Sequence, residues 1–113
     1  MDLTNKQCVP CQVGAPILKG EELLKYKQAI NPSWELYDHD TKIRREFEFK
    51  DFRRAVEFVN RVATLAEGEG HHPDIHLHSY KKVRIELWTH KIGGLHLNDF
   101  IEAAKIDLLI ISS

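Results

Sequence analysis

Nothing in these 113 residues runs apolar for the roughly 18 positions that a membrane-crossing helix needs, and the formal net charge is only −1. So small a charge gives no general attraction to a phosphate backbone. No Lys/Arg stripe with interleaved aromatics overrides it, so direct nucleic-acid binding is not expected, nor is a membrane partner. Internal repeats and low-complexity tracts are lacking as well. Residues Met1 to Leu18 have neither the basic start and apolar core of a secretory leader nor the Arg-rich, acid-poor look of a transit peptide. A soluble, cytoplasmic protein is the expectation.

Cysteine is scarce: only Cys8 and Cys11, in a Cys-Val-Pro-Cys run between the start of the chain and Pro16. Such a pair reads either as a redox or half-zinc motif, or as a loop with reducible thiols. A redox pair normally opens a helix after a strand, and a zinc knuckle needs a second Cys pair that this chain does not have. The loop is therefore expected, with residues 1–18 leading into a single domain over 19–113. At 42% hydrophobic and 29% charged, the composition suits an ordinary globule with one core.

The periodicity of the apolar residues predicts the elements. Lys19 to Ile30 reads as a short helix ended by Pro32. Trp34–Tyr37 and Ile43–Phe49 read as two strands; Ile43, Phe47 and Phe49 alternate with charge, and Arg45 breaks the pattern. From Asp51, a natural N-cap, the period lengthens: Phe52, Ala55, Val56, Val59, Val62, Ala63 and Ala66 fall on one helical face. Phe58 and Leu65 widen that face beyond what one sheet covers, which points to a second partner such as another subunit. Gly68 and Gly70 are expected to stop the helix. Two further strands follow, Ile75–His78 and one in which Val83, Ile85 and Leu87 alternate against Arg84, Glu86 and Trp88 and which ends at Thr89-His90, then a Gly93-Gly94 turn and a last helix from about His96 to Asn98 through Leu108, with an apolar tail to Ile111. Strands joined by short turns pair antiparallel, so the expected class is α+β, an antiparallel four-stranded sheet with helices packed on one face.

Seven histidines stand in the chain, and five of them (His71, His72, His76, His78, His90) lie within twenty positions. His71 and His72 follow the glycine-ended helix, where Pro73 forbids helix and extends the backbone. His90 closes the fourth strand. Imidazole titrates nearest neutrality, so two or three around one substrate serve as acid and base without large pKa shifts. The plainer alternative is that His71 and His72 cap the helix or bond loop carbonyls. His76 and His78 share a strand face, a known ligand arrangement, but no third ligand stands at a diagnostic spacing; they read as surface-strand residues, and no metal is expected.

Taken in order, Ala66-Glu67-Gly68-Glu69-Gly70-His71-His72-Pro73-Asp74, Tyr80-Lys81-Lys82-Val83-Arg84-Ile85, Thr89-His90, and Gly94-Leu95 with Asp99 four residues beyond Leu95 resemble the pterin-4a-carbinolamine dehydratase family, over about Trp34 to Asp107. The resemblance implies dehydration of 4a-hydroxytetrahydropterin to quinonoid dihydropterin, which recycles tetrahydrobiopterin, with no cofactor and in a homodimer or homotetramer. It implies His71, His72 and His90 as catalytic groups, with His72 and His90 nearest C4a and N5. Glu67, Pro73 and Asp99 become orienting or substrate-binding residues. Some animal members resemble this chain and also help a transcription factor dimerise; an interaction module of that kind, using the Phe58/Leu65 side of the long helix, is the alternative function. Two departures stand out. His96 occupies the place where the family often has a capping Ser or Thr, so that Asn98 is expected to cap instead, and one extra residue near Ser79 calls for a bulge.

Overall fold

The computed structural model describes residues 1–10 and 13–110; Cys11 and the end of the apolar tail at Ile111 lie outside the described residues. After a short 3-10 turn at Leu3–Asn5 come α1 (Gly20–Gln28), β1 (Glu35–Tyr37), β2 (Lys42–Glu48), α2 (Phe52–Glu69), β3 (Asp74–His78), β4 (Lys82–Leu87) and α3 (Leu97–Leu109). The strands form one antiparallel sheet in the order β1-β2-β4-β3. This is the open α+β sheet that the sequence predicts.

Register settles which side chains face the helices. Ile43 pairs with Leu87, Arg45 with Ile85 and Phe47 with Val83, so odd-numbered residues of β2 and β4 share one face. Ile43, Phe47, Val83, Ile85 and Leu87 are all buried there against Ala55, Phe58 and Val62 of α2 and Phe100, Ile101 and Ile106 of α3. The even face carries Arg44 on Glu35, Arg84 on Glu86, and His78 on Glu46, so it faces solvent as a charged lattice. His76 and His78 stand on that face, away from the helices.

The break in alternation at Arg45 now has a cause. Its side chain points inward, where its guanidinium meets Asp107 of α3 at 2.7 Å, and the indole N–H of Trp34 donates to the same carboxylate at 3.0 Å. Trp34 itself is fully buried. Burial pushes the Asp107 carboxyl up, against the downward pull of Trp34 and Arg45, so the pair is held under tension between desolvation and charge.

Helix α2 begins at Asp51, whose side chain accepts from the Arg54 N–H at 2.9 Å. Its buried stripe is Ala55, Phe58, Val62 and Ala66, whereas Phe52 is 54% exposed. Phe58 is thus no surplus surface: its ring lies 4.8 Å from Phe47 and 4.9 Å from Phe49, inside the core, and the expected interaction face through Phe58 is filled by the sheet. The helix runs through Gly68, and Gly70 alone ends it, in the left-handed conformation (φ 69°) with its N–H on Ala66 O. The turn at β3–β4 also differs from expectation. Ser79 and Tyr80 both take positive φ (50° and 51°), and His78 pairs directly with Lys82, so the extra residue is absorbed in the turn and no bulge is present in the ladder.

Replacing Asp107 by Ala would leave Arg45 buried without its carboxylate, and is expected to cost ~3 kcal/mol in urea unfolding. Arg44→Ala, on the solvated face, should lower stability far less; equal losses in the two variants would show that Asp107 is not a buried partner.

Candidate active site

Three stretches of chain converge at one end of the sheet. Gly70 turns the chain out of α2, so His71 and His72 emerge beside its last turn. Thr89 extends β4 and bridges to Gly94, donating its N–H to Gly94 O at 2.9 Å, and His90 sits at the tip of the turn so closed. Gly94 is needed there: a Cβ would come within 2.6 Å of the Ile17 side chain. The third stretch is the start of α3. His96 is its N-cap, with Nδ1 accepting the Asn98 N–H at 3.1 Å, while Asp99 Oδ2 accepts the His96 N–H at 3.0 Å. Histidine therefore caps this helix in the place of Ser or Thr, and Asn98 does not.

Asp99, fully buried, ties the three stretches together. Its Oδ1 lies 2.6 Å from His71 Nε2, and its Oδ2 accepts the Thr89 hydroxyl at 2.9 Å as well as the helix N–H. An ionised carboxylate only accepts, so His71 carries its proton on Nε2, and Nδ1 is the nitrogen left for a ligand. Burial lowers the basicity of His71, but the hydrogen bond and charge of Asp99, with the charge of Glu102 behind it, outweigh burial and raise its pKa above the ordinary value. His72 is arranged in the same way but in the open: its Nε2 lies 2.6 Å from Glu67 Oε2, with both side chains exposed. His90 has a different partner, the indole of Trp88, stacked at 3.8 Å between centroids.

All three histidines line one cavity of about 450 Å³, together with Trp88, Asn98 and the N-terminal residues Cys8, Val9 and Pro10. Glu67 and Asp99 stand behind His72 and His71, and Pro73 leads from them into β3. Trp88, one residue past β4, and the Cys8–Pro10 part of the leading loop form cavity wall. Beneath the cavity lies a polar cluster without any signal in the sequence. Glu69 Oε2 pairs with Lys105 Nζ at 2.8 Å, and burial of Glu69 is more than offset by the Cys8 N–H and Lys105, which hold its carboxyl below the usual range. Burial and the charges of Glu102 and Glu69 push the Cys8 thiol up to about 12, far from a reactive thiolate. Glu102 is fully buried, and neither of its oxygens has a hydrogen-bond partner among the described residues. Burial, reinforced by Asp99 and Glu69 against His71 and Lys105, raises it to about 8, so it is mainly a neutral acid at pH 7. Among the described residues no three His, Cys, Asp or Glu side chains come together as a metal-binding group.

The fold and this cavity define a class: a small α+β protein with carboxylate-backed histidines around a pocket of small-molecule size. Comparison with known proteins names the class. The family described as Pterin 4 alpha carbinolamine dehydratase matches residues 16–109, and the chain belongs to it. A protein of Methylococcus capsulatus, named provisionally as a pterin-4-alpha-carbinolamine dehydratase, is 51% identical over 95% of this chain and 92% of its own length. Another so named from Rubrobacter xylanophilus is 48% identical over 96% and 98%. Among solved structures, a transcriptional coactivator/pterin dehydratase from Brucella melitensis superposes with a TM-score of 0.76 at 31% identity, covering 83% of this chain and 98% of that one. A pterin dehydratase-like protein identified as a RuBisCO assembly factor in the alpha-carboxysome gives 0.61 at 27% identity, over 72% and 93%.

Two measurements test the electrostatics. In Asp99→Asn, which keeps the side-chain shape, the NMR titration midpoint of His71 should fall relative to the wild type; an unmoved midpoint would show that Asp99 does not hold that proton. Glu102, with its folded pKa raised above the unfolded 4.5 to about 8, contributes stability present below the unfolded value and lost as pH rises through 8. Glu102→Gln should thus gain on the wild type in Tm between pH 5 and 9, with His71, Asp99, Glu69, Lys105 and Cys8 facing it in both; parallel curves would show no such shift.

Proposed function

We propose that the chain catalyses loss of water from 4a-hydroxytetrahydropterin, giving quinonoid dihydropterin, by histidine acid–base catalysis. The observation that carries the reading is that His71, His72 and His90, from two separate stretches of chain, line one cavity.

The chemistry asks for two proton transfers close together. The C4a hydroxyl leaves as water only after accepting a proton, and the N5–H bond gives up its proton as the C4a=N5 double bond forms. The N5 lone pair assists the expulsion. One proton is delivered and one removed, so the reaction leaves the charge of substrate and site unchanged. His72 and His90, the two solvent-exposed imidazoles of the cavity, serve as the acid and base nearest C4a and N5. Glu67 fixes His72 with its proton on Nε2 and Nδ1 free, as Asp99 does for His71. His71, mostly buried and more basic than an ordinary histidine, binds or acts as a second acid. General acid–base catalysis of this kind contributes ~10²- to 10⁴-fold, or roughly 3 to 5 kcal/mol.

Water loss from chemically prepared 4a-hydroxytetrahydropterin, followed by absorbance, tests the reading. The wild type should accelerate it, and His72→Ala, His90→Ala should lose ~10²-fold or more while staying folded, since both positions are exposed. No acceleration by folded wild-type protein would overturn the dehydratase assignment.

A further inference from the structure

The N-terminal segment Cys8–Pro10 lies far in sequence from every histidine of the cavity, yet it forms part of the cavity wall. It is locked there from both sides. On the α3 side, Asn98, only 3% exposed, grips the Val9 backbone with both ends of its amide: Val9 N–H donates to Oδ1 at 3.0 Å, and Nδ2 donates to Val9 O at 2.6 Å. On the α2 side, Cys8 N–H donates to Glu69 Oε1 at 2.8 Å, one residue before the Gly70 turn that delivers His71. The Cys8 thiol points at Asn98 O, 3.5 Å away. The segment therefore spans the end of α2 and the start of α3, the two elements that His71 and Asp99 join from beneath.

Such a lock has a cost that packing alone does not explain. Val9 is 57% exposed, so its side chain gains little from the core, while a buried amide on α3 is devoted to holding its backbone still. What the lock secures is an apolar rim, Val9 and Pro10, on a cavity otherwise lined by imidazoles, an indole and polar groups. A flat bicyclic pterin presents two ring faces, and apolar surface packed against a face adds to affinity.

Resting on the dehydratase reading above, we propose that the Cys8–Pro10 segment is a wall of the pterin site and that Asn98 is the positioning residue that holds it closed, so that it governs substrate affinity and leaves the acid–base step alone. Among the described residues, the partners of His71, His72 and His90 are Asp99, Glu67 and Trp88 and not the segment, so the prediction separates KM from kcat.

The test uses the full chain and three variants: Asn98→Ala, which deletes both bonds to Val9, Val9→Pro, which deletes the N–H donor and puts another apolar side chain in place of Val9, and the two combined. Each is assayed for dehydration and titrated by fluorescence with 7,8-dihydropterin, a stable probe that does not turn over. Asn98→Ala should raise both KM and the probe's Kd roughly tenfold, as expected for two hydrogen bonds of ordinary net strength, with kcat within about twofold. Val9→Pro should raise them less, and the double variant should match Asn98→Ala alone, because both changes open one lock. If Asn98→Ala raises KM and Val9→Pro does not, Asn98 touches the pterin directly and the wall is overturned. A fall in kcat and Tm with KM unchanged would make the segment merely structural and overturn it too. An active wild type with all variants at wild-type KM removes this inference and leaves the dehydratase reading intact; a wild type that neither turns over nor binds the probe removes both.

Discussion

One buried carboxylate sets the geometry of this site. Asp99 receives a ring N–H from the loop after α2, a hydroxyl from the extension of β4 and the first free N–H of α3. Each of these segments would otherwise end in unpaired polar groups, and an ionised carboxylate taken from water without partners is costly in the same way. Meeting at one point satisfies all of them at once. The consequence is that the loop bearing His71 cannot shift without stranding a buried charge, which fixes the imidazole in tautomer and direction. His71 owes its raised basicity to the same contact, with Glu102 adding to it from below.

From that anchor the site divides by depth. His71 is the mostly buried member, while His72 and His90 are exposed to solvent. Below them the charges are arranged so that few remain uncompensated. Lys105 and Glu69 pair, and Glu69 also receives a backbone N–H, so both its oxygens are used. Glu102 has no such partner among the described residues and is mainly neutral at pH 7. A second ionised carboxylate beside Asp99 in that setting would meet like charge as well as desolvation, and neutralisation is the cheaper state. Asp107 meets the same desolvation by pairing instead, with the mostly buried Arg45 and the Trp34 indole, which ties the sheet to α3.

Local pattern made the elements legible in the sequence, because helix and strand periods are short-range properties. Asp51 reads as a cap, Gly70 as an end and the β2 and β4 alternation as a half-buried sheet, and each stands where the pattern puts it. What escaped reading depends on contacts between distant positions. Arg45 looks like an error in a strand until Asp107, 62 positions later, is beside it. Val9 and Asn98 are separated by 89 positions, and no local rule connects them. Phe58 seemed surplus because the stripe was counted on a helix without knowing that Phe47 and Phe49 would receive it. His96 was misread for a different reason: imidazole is an uncommon cap, yet its Nδ1 reaches the same backbone N–H that a hydroxyl would. The candidate histidines were visible as an unusual cluster, whereas Trp88, one residue past β4, carried no mark that separates a packing indole from one lining a cavity.

The buried acid and the exposed histidines also bear on how a dehydratase site of this kind would reset. Dehydration moves one proton in and one out, so after each turnover the acid lacks the proton that the base has gained, and the net charge is where it began. If acid and base were both buried, the imbalance would have to be relayed through the protein, and Glu102 would be a natural relay. Were exposed imidazoles such as His72 and His90 that pair, solvent would give a proton to the acid and take one from the base, and no internal path would be required. Glu102 is then better understood through what it does to His71: an acid close enough to influence that imidazole, held neutral by burial, adds to its basicity less at pH 7 than it would if ionised. Its influence therefore grows as pH rises toward 8, in the direction that favours a protonated His71.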